Sequence, residues 1–337
     1  MSIFLFRYLF LCFFVFGLFS SDSRQTKLPK NSYIFFEGQN HAGLYSNIMC
    51  LAEWLWIVEN DPRLGISIQM KDYFQQKDNI YPLLFKQAQE PRVTTQEKGV
   101  PAFTKVKMYP GSPWHIRDGR WVRERRGWIR KYPTDGLGPY DEKKVMYGDS
   151  KTYKSPEFQI FRKRMLPILQ KYFQPQDVIA NKLHEIKKLI SRKKTIGIHI
   201  RCVDHLCQND GKICYPVEDY LSNIMSSVDS VMMNYDMHNI QIYLATLIQP
   251  VVDMISLKYP TITINTPRTN DINDDWETVL KNSEPLENAQ NAVIDAFCLS
   301  FCDEFYCSAS NMAFFSSCLN PQMPVYILPC FEDWYGR

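Results

Sequence analysis

The stretch Thr195-Ile-Gly-Ile-His-Ile-Arg-Cys-Val-Asp204 decides the fold of this 337-residue chain. Its apolar residues alternate up to His199 and Arg201, which predicts a buried strand that leads into a functional loop. In open α/β sheets, ligands bind beyond the carboxyl ends of the strands. A guanidinium at that point suits an anion, because its fixed fork of donors matches carboxylate or phosphate oxygens. These ten residues alone leave two interpretations: an anion-binding arginine, or a surface arginine paired with Asp204.

The chain after residue 194 alternates between strand and helix patterns. Strands are predicted at 195–201, 240–246, 262–264, 304–307 and 325–328, with helices near 217–228, 250–258, 288–301 and 311–318 between them. Such alternation is typical of a parallel, doubly wound sheet. Residues 191–337 are therefore expected to form one Rossmann-like domain.

A second α/β domain is expected over residues 31–190. A strand at 33–36 runs into a polar turn that contains Gly43 and Asn47, and a helix follows at 48–59. The turn lacks the GxGxxG and GxxxxGK[ST] fingerprints, and glycines in such turns often serve backbone geometry alone. Two more helices are predicted at 158–173 and 177–191, and Pro167 should kink or split the first of them.

The composition is that of a folded, two-domain protein. Hydrophobic residues make up 45% of the chain and aromatic residues 14%, which excludes general disorder. The net charge of +3 is too small to indicate nucleic-acid binding. Between residues 114 and 131, arginines and one lysine lie among three tryptophans. That stretch predicts either a grip on a carbohydrate or anionic acceptor, or a solvated and partly paired surface.

Residues 1–21 are predicted to lie outside the fold. Arg7 precedes an apolar run of 12 residues, and serines follow it. This pattern is typical of a signal peptide, and a short signal anchor is the alternative. We therefore expect a protein of the secretory pathway or an exported one, in the ER or Golgi lumen if the cell is eukaryotic. Membrane contact is expected only through this segment, if it stays uncleaved. The chain has no N-glycosylation sequon.

Ten cysteines suggest that an exported protein would carry disulfides. Cys202, Cys207 and Cys214 are spaced as in a small disulfide-braced loop, and their spacing does not fit a zinc site. Cys298 and Cys302 share one face of a predicted helix and are candidates for the core.

A second group of polar residues follows later in the chain. Asp295 is a lone carboxylate on an otherwise apolar helix, and Ser308, Ser310 and Asn311 lie between a strand and the next helix. A helix N-terminus with nearby hydroxyls can bind an anion, and a carboxylate in an apolar wall needs a donor partner such as a nucleobase or a ribose. The alternatives are structural: Asp295 bonded to a backbone N–H, and the three polar residues used for helix capping alone.

These motifs, in this order, resemble the fucosyltransferase superfamily that groups α1,6-fucosyltransferases, nodulation-type fucosyltransferases and protein O-fucosyltransferases. Residues 196–205 are similar to the family's I-G-V-H-I-R-G-T-D-[KH] motif, and residues 242–246 resemble its strand ending in Leu-Ala-Thr. Residues 293–321 resemble its C-terminal donor motif, and the loop from Gly43 to Asn47 resembles its N-terminal glycine loop.

The resemblance implies an α/β fold of the GT-B-like type, with two Rossmann-like domains and GDP-fucose in the cleft between them. It also implies an inverting reaction without a metal or other cofactor, with a nucleotide sugar and a glycan or glycoconjugate acceptor as partners. Arg201 would bind the β-phosphate and His199 would help to fix the diphosphate and ribose, as the two catalytic residues. The other implied donor-binding residues are Asp204, which shapes the loop, Thr246, Asp295 for guanine, Ser308, Ser310 and Asn311 for phosphate or sugar, and Gly43 and Asn47 from the first domain.

Two departures from the family pattern keep other functions open. Cys202 and Val203 replace the usual Gly-Thr or Arg-Thr after Arg201, and Leu247-Ile248 replace the usual acidic pair after Thr246. The alternatives are a transferase for another nucleotide sugar and a catalytically inactive, glycan-binding relative.

Overall fold

The computed structural model describes residues 32–38, 43–62, 64–71, 78–95, 103–104, 114–117, 120–123, 153, 156–201, 217–271, 284–308 and 310–332. The predicted leader, the loop that contains Asp204 and its three cysteines, and most of the basic and aromatic stretch lie outside these residues. Within them, no helix is both long and apolar enough to span a membrane.

The first half of the chain contains a four-stranded parallel sheet. Its strands are β1 (Ser32–Glu37), β2 (Leu64–Gln69), β3 (Val93–Thr94) and β4 (Phe103–Thr104), in the order β3-β2-β1-β4. Helix α1 (Leu44–Asn60) joins β1 to β2, and the short helix α2 (Tyr81–Leu84) lies between β2 and β3. An antiparallel hairpin of β5 (Trp114–Arg117) and β6 (Arg120–Arg123) follows. Helices α3 (Pro156–Tyr172) and α4 (Asp177–Ile190) then lead to the second sheet.

The second half contains a five-stranded parallel sheet. Its strands are β7 (Lys194–Ile200), β8 (Ile240–Thr246), β9 (Thr261–Ile262), β10 (Glu304–Cys307) and β11 (Val325–Ile327), and they alternate with helices α5 (Val217–Met232), α6 (Gln249–Lys258), α7 (Pro285–Ser300) and α8 (Asn311–Leu319). A last short helix, α9 (Pro329–Glu332), follows β11. The spatial order is β9-β8-β7-β10-β11, which is the doubly wound order with its switch point between β7 and β10. The structure confirms the predicted order of strands and helices, although β9 (Thr261–Ile262) shares only residue 262 with the predicted strand 262–264.

Strand β7 lies at the centre of the second sheet, and helix α7 packs closely against it. Burial of six of its seven residues explains the apolar pattern seen in the sequence. Gly197 permits the close approach of the helix: a Cβ there would come within 3.1 Å of the Cys302 sulfur and 3.3 Å of Leu299. A larger residue at position 197 would therefore push α7 away from the sheet.

The two halves pack together through helices α1, α3 and α8. Phe314 of α8 contacts the rings of Tyr153, Phe158 and Phe161, with centroid separations of 5.1–6.2 Å. Arg162 of α3 is fully buried and donates to the carbonyl oxygens of Ser317, Asn320 and Met323, at and just beyond the carboxyl end of α8. The negative end of the helix dipole and these oxygens offset the buried charge.

Three local predictions differ from the structure. Helix α1 begins at Leu44 rather than at 48, because Gly43 lies directly before its first turn. Helix α3 continues through Pro167, so the helix is not split there. Burial of Phe161, Met165 and Leu169 along α3 compensates for the hydrogen bond that the proline lacks. Strand β2 was not predicted at all, since the small and polar residues of Leu-Gly-Ile-Ser-Ile-Gln obscure a strand whose six residues are all buried.

Candidate functional site

The predicted arginine and histidine lie at the carboxyl end of β7, on the switch-point side that faces β10. Parallel pairing sets Cys307 of β10 opposite His199, so the residue that follows each strand reaches the same edge. The Ser308 backbone N–H donates to the His199 carbonyl at 2.9 Å, and the Arg201 backbone N–H donates to the Ser308 hydroxyl at 3.1 Å. Tyr220 of α5 donates its hydroxyl to the Arg201 carbonyl at 3.0 Å. These bonds fix the backbone that carries the Arg201 side chain, which is partly exposed.

His199 is a neutral group in this site. Its side chain is 7% exposed, and its Nδ1 lies 3.4 Å from the Ser308 hydroxyl and 3.5 Å from the Ser310 hydroxyl. Burial, and then the charge of Arg201, lower the pKa of His199 to about 3. A neutral imidazole accepts at one nitrogen and donates at the other. His199 is thus suited to hold a ligand by hydrogen bonds and unsuited to act as a base at neutral pH.

Two helix N-termini meet beside these residues. Ser310 caps α8 by accepting from the Ala313 N–H at 3.1 Å, so capping is one role of this residue. Gly43 precedes α1, and no side chain caps that helix. Asn311 of α8 donates to the Ser46 hydroxyl of α1 at 2.6 Å, so the two helix starts touch. The positive ends of both dipoles and the charge of Arg201 therefore favour an anion at this point.

Two details show that this junction leaves room and hydrogen-bonding capacity. A Cβ placed on Gly43 would meet no atom of the described residues within 4 Å, so they leave space beside the glycine. The Oδ1 atom of Asn311 is buried and has no hydrogen-bond partner among the described residues. Tyr45 connects the start of α1 to α7, because its hydroxyl donates to the Ala292 carbonyl at 2.7 Å. Asn47, in the same first turns of α1, is buried.

Asp295 is a residue of α7 and lies between that helix and β8. It is 7% exposed, and one of its oxygens accepts from the Tyr243 hydroxyl at 2.7 Å. The structural partner that Asp295 has here is therefore a side-chain hydroxyl. Burial raises the pKa of Asp295 to about 7, although the Tyr243 hydroxyl and the charge of Arg268 act in the opposite direction. The carboxyl group is close to its titration midpoint at neutral pH.

Arg268 is a functional candidate that the sequence analysis missed. It lies in the segment after β9 and donates to the carbonyl of Thr246, the last residue of β8, at 3.3 Å. The structure brings seven of the predicted residues into one group: Gly43, Asn47, His199, Arg201, Ser308, Ser310 and Asn311. Thr246 ends the neighbouring strand β8, and Asp295 of α7 contacts that strand through Tyr243. Ser46, Tyr45, Tyr243 and Arg268 join them only through contacts between distant parts of the chain, and no local motif marks them.

Neither metal ligands nor disulfides occur in the described part of the chain. No group of histidine, cysteine or acidic residues there has the arrangement of a metal site. The six cysteines there are all free, and so the disulfides expected from the composition are not found among them. Cys298 and Cys302 are buried, which confirms their prediction as core residues.

Comparison with known structures identifies the fold. No family model and no curated protein sequence matches the chain. The structure resembles crystal structures of the fucosyltransferase NodZ from Bradyrhizobium, with a TM-score of 0.52 and 11% identity. The NodZ α-1,6-fucosyltransferase co-crystallised with GDP gives a TM-score of 0.51 at 13% identity, and the form soaked with GDP-fucose gives 0.50 at 14%. Each comparison covers 87% of this chain and 94% of the other. The fold is thus α/β and GT-B-like, as predicted.

Proposed function

We propose that this protein is a fucosyltransferase that moves fucose from GDP-fucose to a hydroxyl group of a glycan or glycoconjugate. The observation that carries the proposal is the meeting of two helix N-termini with Arg201 and His199 at the switch point of the second sheet. Ligands of doubly wound sheets bind at that point. The structurally similar NodZ enzyme has been crystallised with GDP and soaked with GDP-fucose. A nucleoside diphosphate sugar carries both groups that the site suits, a diphosphate and a base.

The charges at the junction suit the diphosphate. Arg201 supplies a guanidinium, and the first turns of α1 and α8 supply oriented backbone N–H groups. The hydroxyl groups of Ser308 and Ser310 lie within 3.5 Å of the His199 ring, so all three can present donors to the same phosphate or ribose oxygen. In this arrangement Arg201 is a catalytic residue, and His199 and the two serines hold the donor.

The proposed reaction is a direct displacement with inversion at the anomeric carbon. The oxygen of the acceptor hydroxyl forms the new bond, and the bond from the anomeric carbon to the β-phosphate oxygen breaks with its electron pair on GDP. A general base takes the proton of the acceptor. Charge develops on the leaving phosphate, where Arg201 and the helix N-termini stabilise it without a metal ion. We also propose that the reaction takes place in the secretory pathway or after export, because of the pattern of residues 1–21.

The test is a GDP-release assay with GDP-fucose against a library of glycan acceptors, with and without EDTA. We expect fucose transfer that EDTA does not abolish, with the opposite anomeric configuration in the product. Arg201→Ala should lower turnover on the order of 100-fold or more, as the loss of a pre-organised donor does elsewhere. Arg192→Ala, which removes an exposed arginine on the loop before β7, is the matched control.

Each other outcome assigns the protein differently. Binding of glycan without release of GDP would indicate an inactive, glycan-binding relative. Turnover with another nucleotide sugar in preference to GDP-fucose would correct the donor. Normal transfer by Arg201→Ala would remove the arginine from the mechanism.

A further inference from the structure

Arg268 and Asp295 lie near each other beside the carboxyl half of β8. Asp295 lies on α7, and Tyr243 of β8 holds it. Arg268 lies on the segment after β9, and its Nε donates to the Thr246 carbonyl at the carboxyl end of β8. Asn291 of α7, one turn before Asp295, donates to the Asn265 carbonyl of the Arg268 segment at 3.4 Å. The segment and the helix therefore form two neighbouring walls.

Both groups keep unused hydrogen-bonding capacity. The Nη2 group of Arg268 donates to the Thr263 hydroxyl and to the Ile264 carbonyl, the latter at 2.7 Å. Its Nη1 group bonds to no described residue. One oxygen of Asp295 accepts from Tyr243, and the other accepts from no described residue. The charges of Arg268 and Asp295 influence each other, although their hydrogen bonds go to other partners. A fixed cationic donor thus stands near a fixed acceptor, with neither satisfied by the other.

We propose that Arg268 is a base-recognition residue, which donates from Nη1 to the O6 carbonyl of a bound guanine while Asp295 accepts from its N1–H and 2-amino groups. The inference rests on the proposed function and adds to it a residue that determines specificity. Guanine offers an acceptor at O6 next to donors at N1 and N2. Adenine would set an amino group against the arginine and an unprotonated N1 against the carboxylate. Both of its contacts would therefore be mismatched.

The position of Arg268 also relates to a departure of the sequence from its family pattern. Where the family has an acidic pair after the Ala-Thr end of this strand, the chain has Leu247 and Ile248, and Ile248 is fully buried. The polar group that occupies the end of β8 here is the guanidinium of Arg268, bonded to Thr246.

The test uses calorimetry with three diphosphates on the full-length protein. GDP carries both contacts, IDP lacks only the 2-amino group that faces Asp295, and 6-thio-GDP weakens only the O6 contact. For the wild-type protein we expect 6-thio-GDP and IDP each to bind about tenfold more weakly than GDP, which is typical of one charge-assisted hydrogen bond. In Arg268→Gln, the affinity ratio of GDP to 6-thio-GDP should fall to near one, while the ratio of GDP to IDP stays as in the wild type. Asp295→Asn should show the reverse pattern.

The controls separate recognition from folding. Arg268 also holds backbone carbonyls, so its replacement can lower the melting temperature, but a purely structural loss would weaken all three ligands equally. If Arg268→Gln keeps the wild-type affinity ratio of GDP to 6-thio-GDP, the role of Arg268 in base recognition is overturned, whereas the proposed function is not. Arg268→Lys, which keeps the charge, should give an intermediate ratio and serves if the glutamine variant does not fold. Arg192→Gln is the matched surface control. A wild-type protein that binds none of the three would overturn the proposed function as well.

Discussion

The affinity for GDP-fucose should depend steeply on pH because of Asp295. This carboxyl must be ionised to accept hydrogen bonds from the N1–H and 2-amino groups of guanine. Burial raises its pKa to about 7, although the Tyr243 hydroxyl and the Arg268 charge oppose the effect. Cys298, on the same helix, also lies near Tyr243. His199 does not titrate in the range of interest, because its pKa is about 3.

The expected size follows from this pKa. About nine-tenths of the Asp295 carboxyl groups are ionised at pH 8 and about one-tenth at pH 6. If only the ionised form binds, the dissociation constant of GDP-fucose should rise about tenfold between these values, which is about 1.4 kcal/mol of binding free energy. Below pH 6 it should rise by a further factor of about ten per pH unit. The direction is toward weaker binding at low pH, since acid removes the competent form.

Calorimetry between pH 5.5 and 8.5 measures this dependence. GDP-fucose is the right ligand, because its diphosphate is esterified at both ends and lacks the terminal phosphate ionisation near pH 6 that GDP has. Asp295→Asn has nearly the same shape and no ionisation, so its binding should be weak and independent of pH. If the wild-type dissociation constant stays constant over this range, Asp295 does not bind the base in its ionised form, and our reasoning fails.

Three further predictions concern stability and coupling. Between pH 7 and 5, protonation of His199 in the unfolded state lowers the stability, whereas protonation of Asp295 in the folded state raises it. In Asp295→Asn only the His199 effect remains, so urea titrations should show the free energy of unfolding falling by about 2 kcal/mol from pH 7 to pH 5. A free energy of unfolding that stays constant over this range would contradict the pKa of His199. Gly197→Ala should lower the free energy of unfolding by about 1–3 kcal/mol in calorimetric melting, because the new methyl group contacts the Cys302 sulfur and Leu299. An unchanged melting temperature would show that α7 shifts without cost. Ser46→Ala and Asn311→Ala should each raise the KM for GDP-fucose a few-fold, and the double variant should do no worse than either single one; additive losses would mean that their hydrogen bond does not act as a unit.

The sequence predicted the second sheet well because its central strands β7 and β8 are buried and largely apolar. Strand β8, for example, is buried along its whole length, and its residues Ile240–Thr246 are apolar apart from Gln241 and Thr246. Strand β2 is buried just as fully, but its Gly65, Ser67 and Gln69 look polar, and only the surrounding helices make them interior. Local pattern thus finds strands whose composition agrees with their burial and misses those in which tertiary packing decides.

The same limit applies to the site. Arg201 and Ser310 were predictable because each follows or precedes a regular element in a recognisable way: the end of β7 and the cap of α8. Arg268 was not, since its segment between β9 and α7 has no strong periodicity and Asp295, which lies near it, is on a different element. The role proposed for it follows from the tertiary contact between Asn265 and Asn291. Contacts of this kind depend on topology, which no single window of sequence contains.

Helix α8 is held at both ends by the first half of the chain. Ser46 of α1 contacts its first residue, and Arg162 of α3 binds the carbonyls at and beyond its last turn. A cut between α4 and β7 would follow the boundary expected from the sequence, yet it would strip these partners from α8 and bare Phe314 and Phe315 to water. The second half of the chain is thus expected to aggregate when it is expressed by itself. The two fragments of a split protein should fold only when both are made in the same cell.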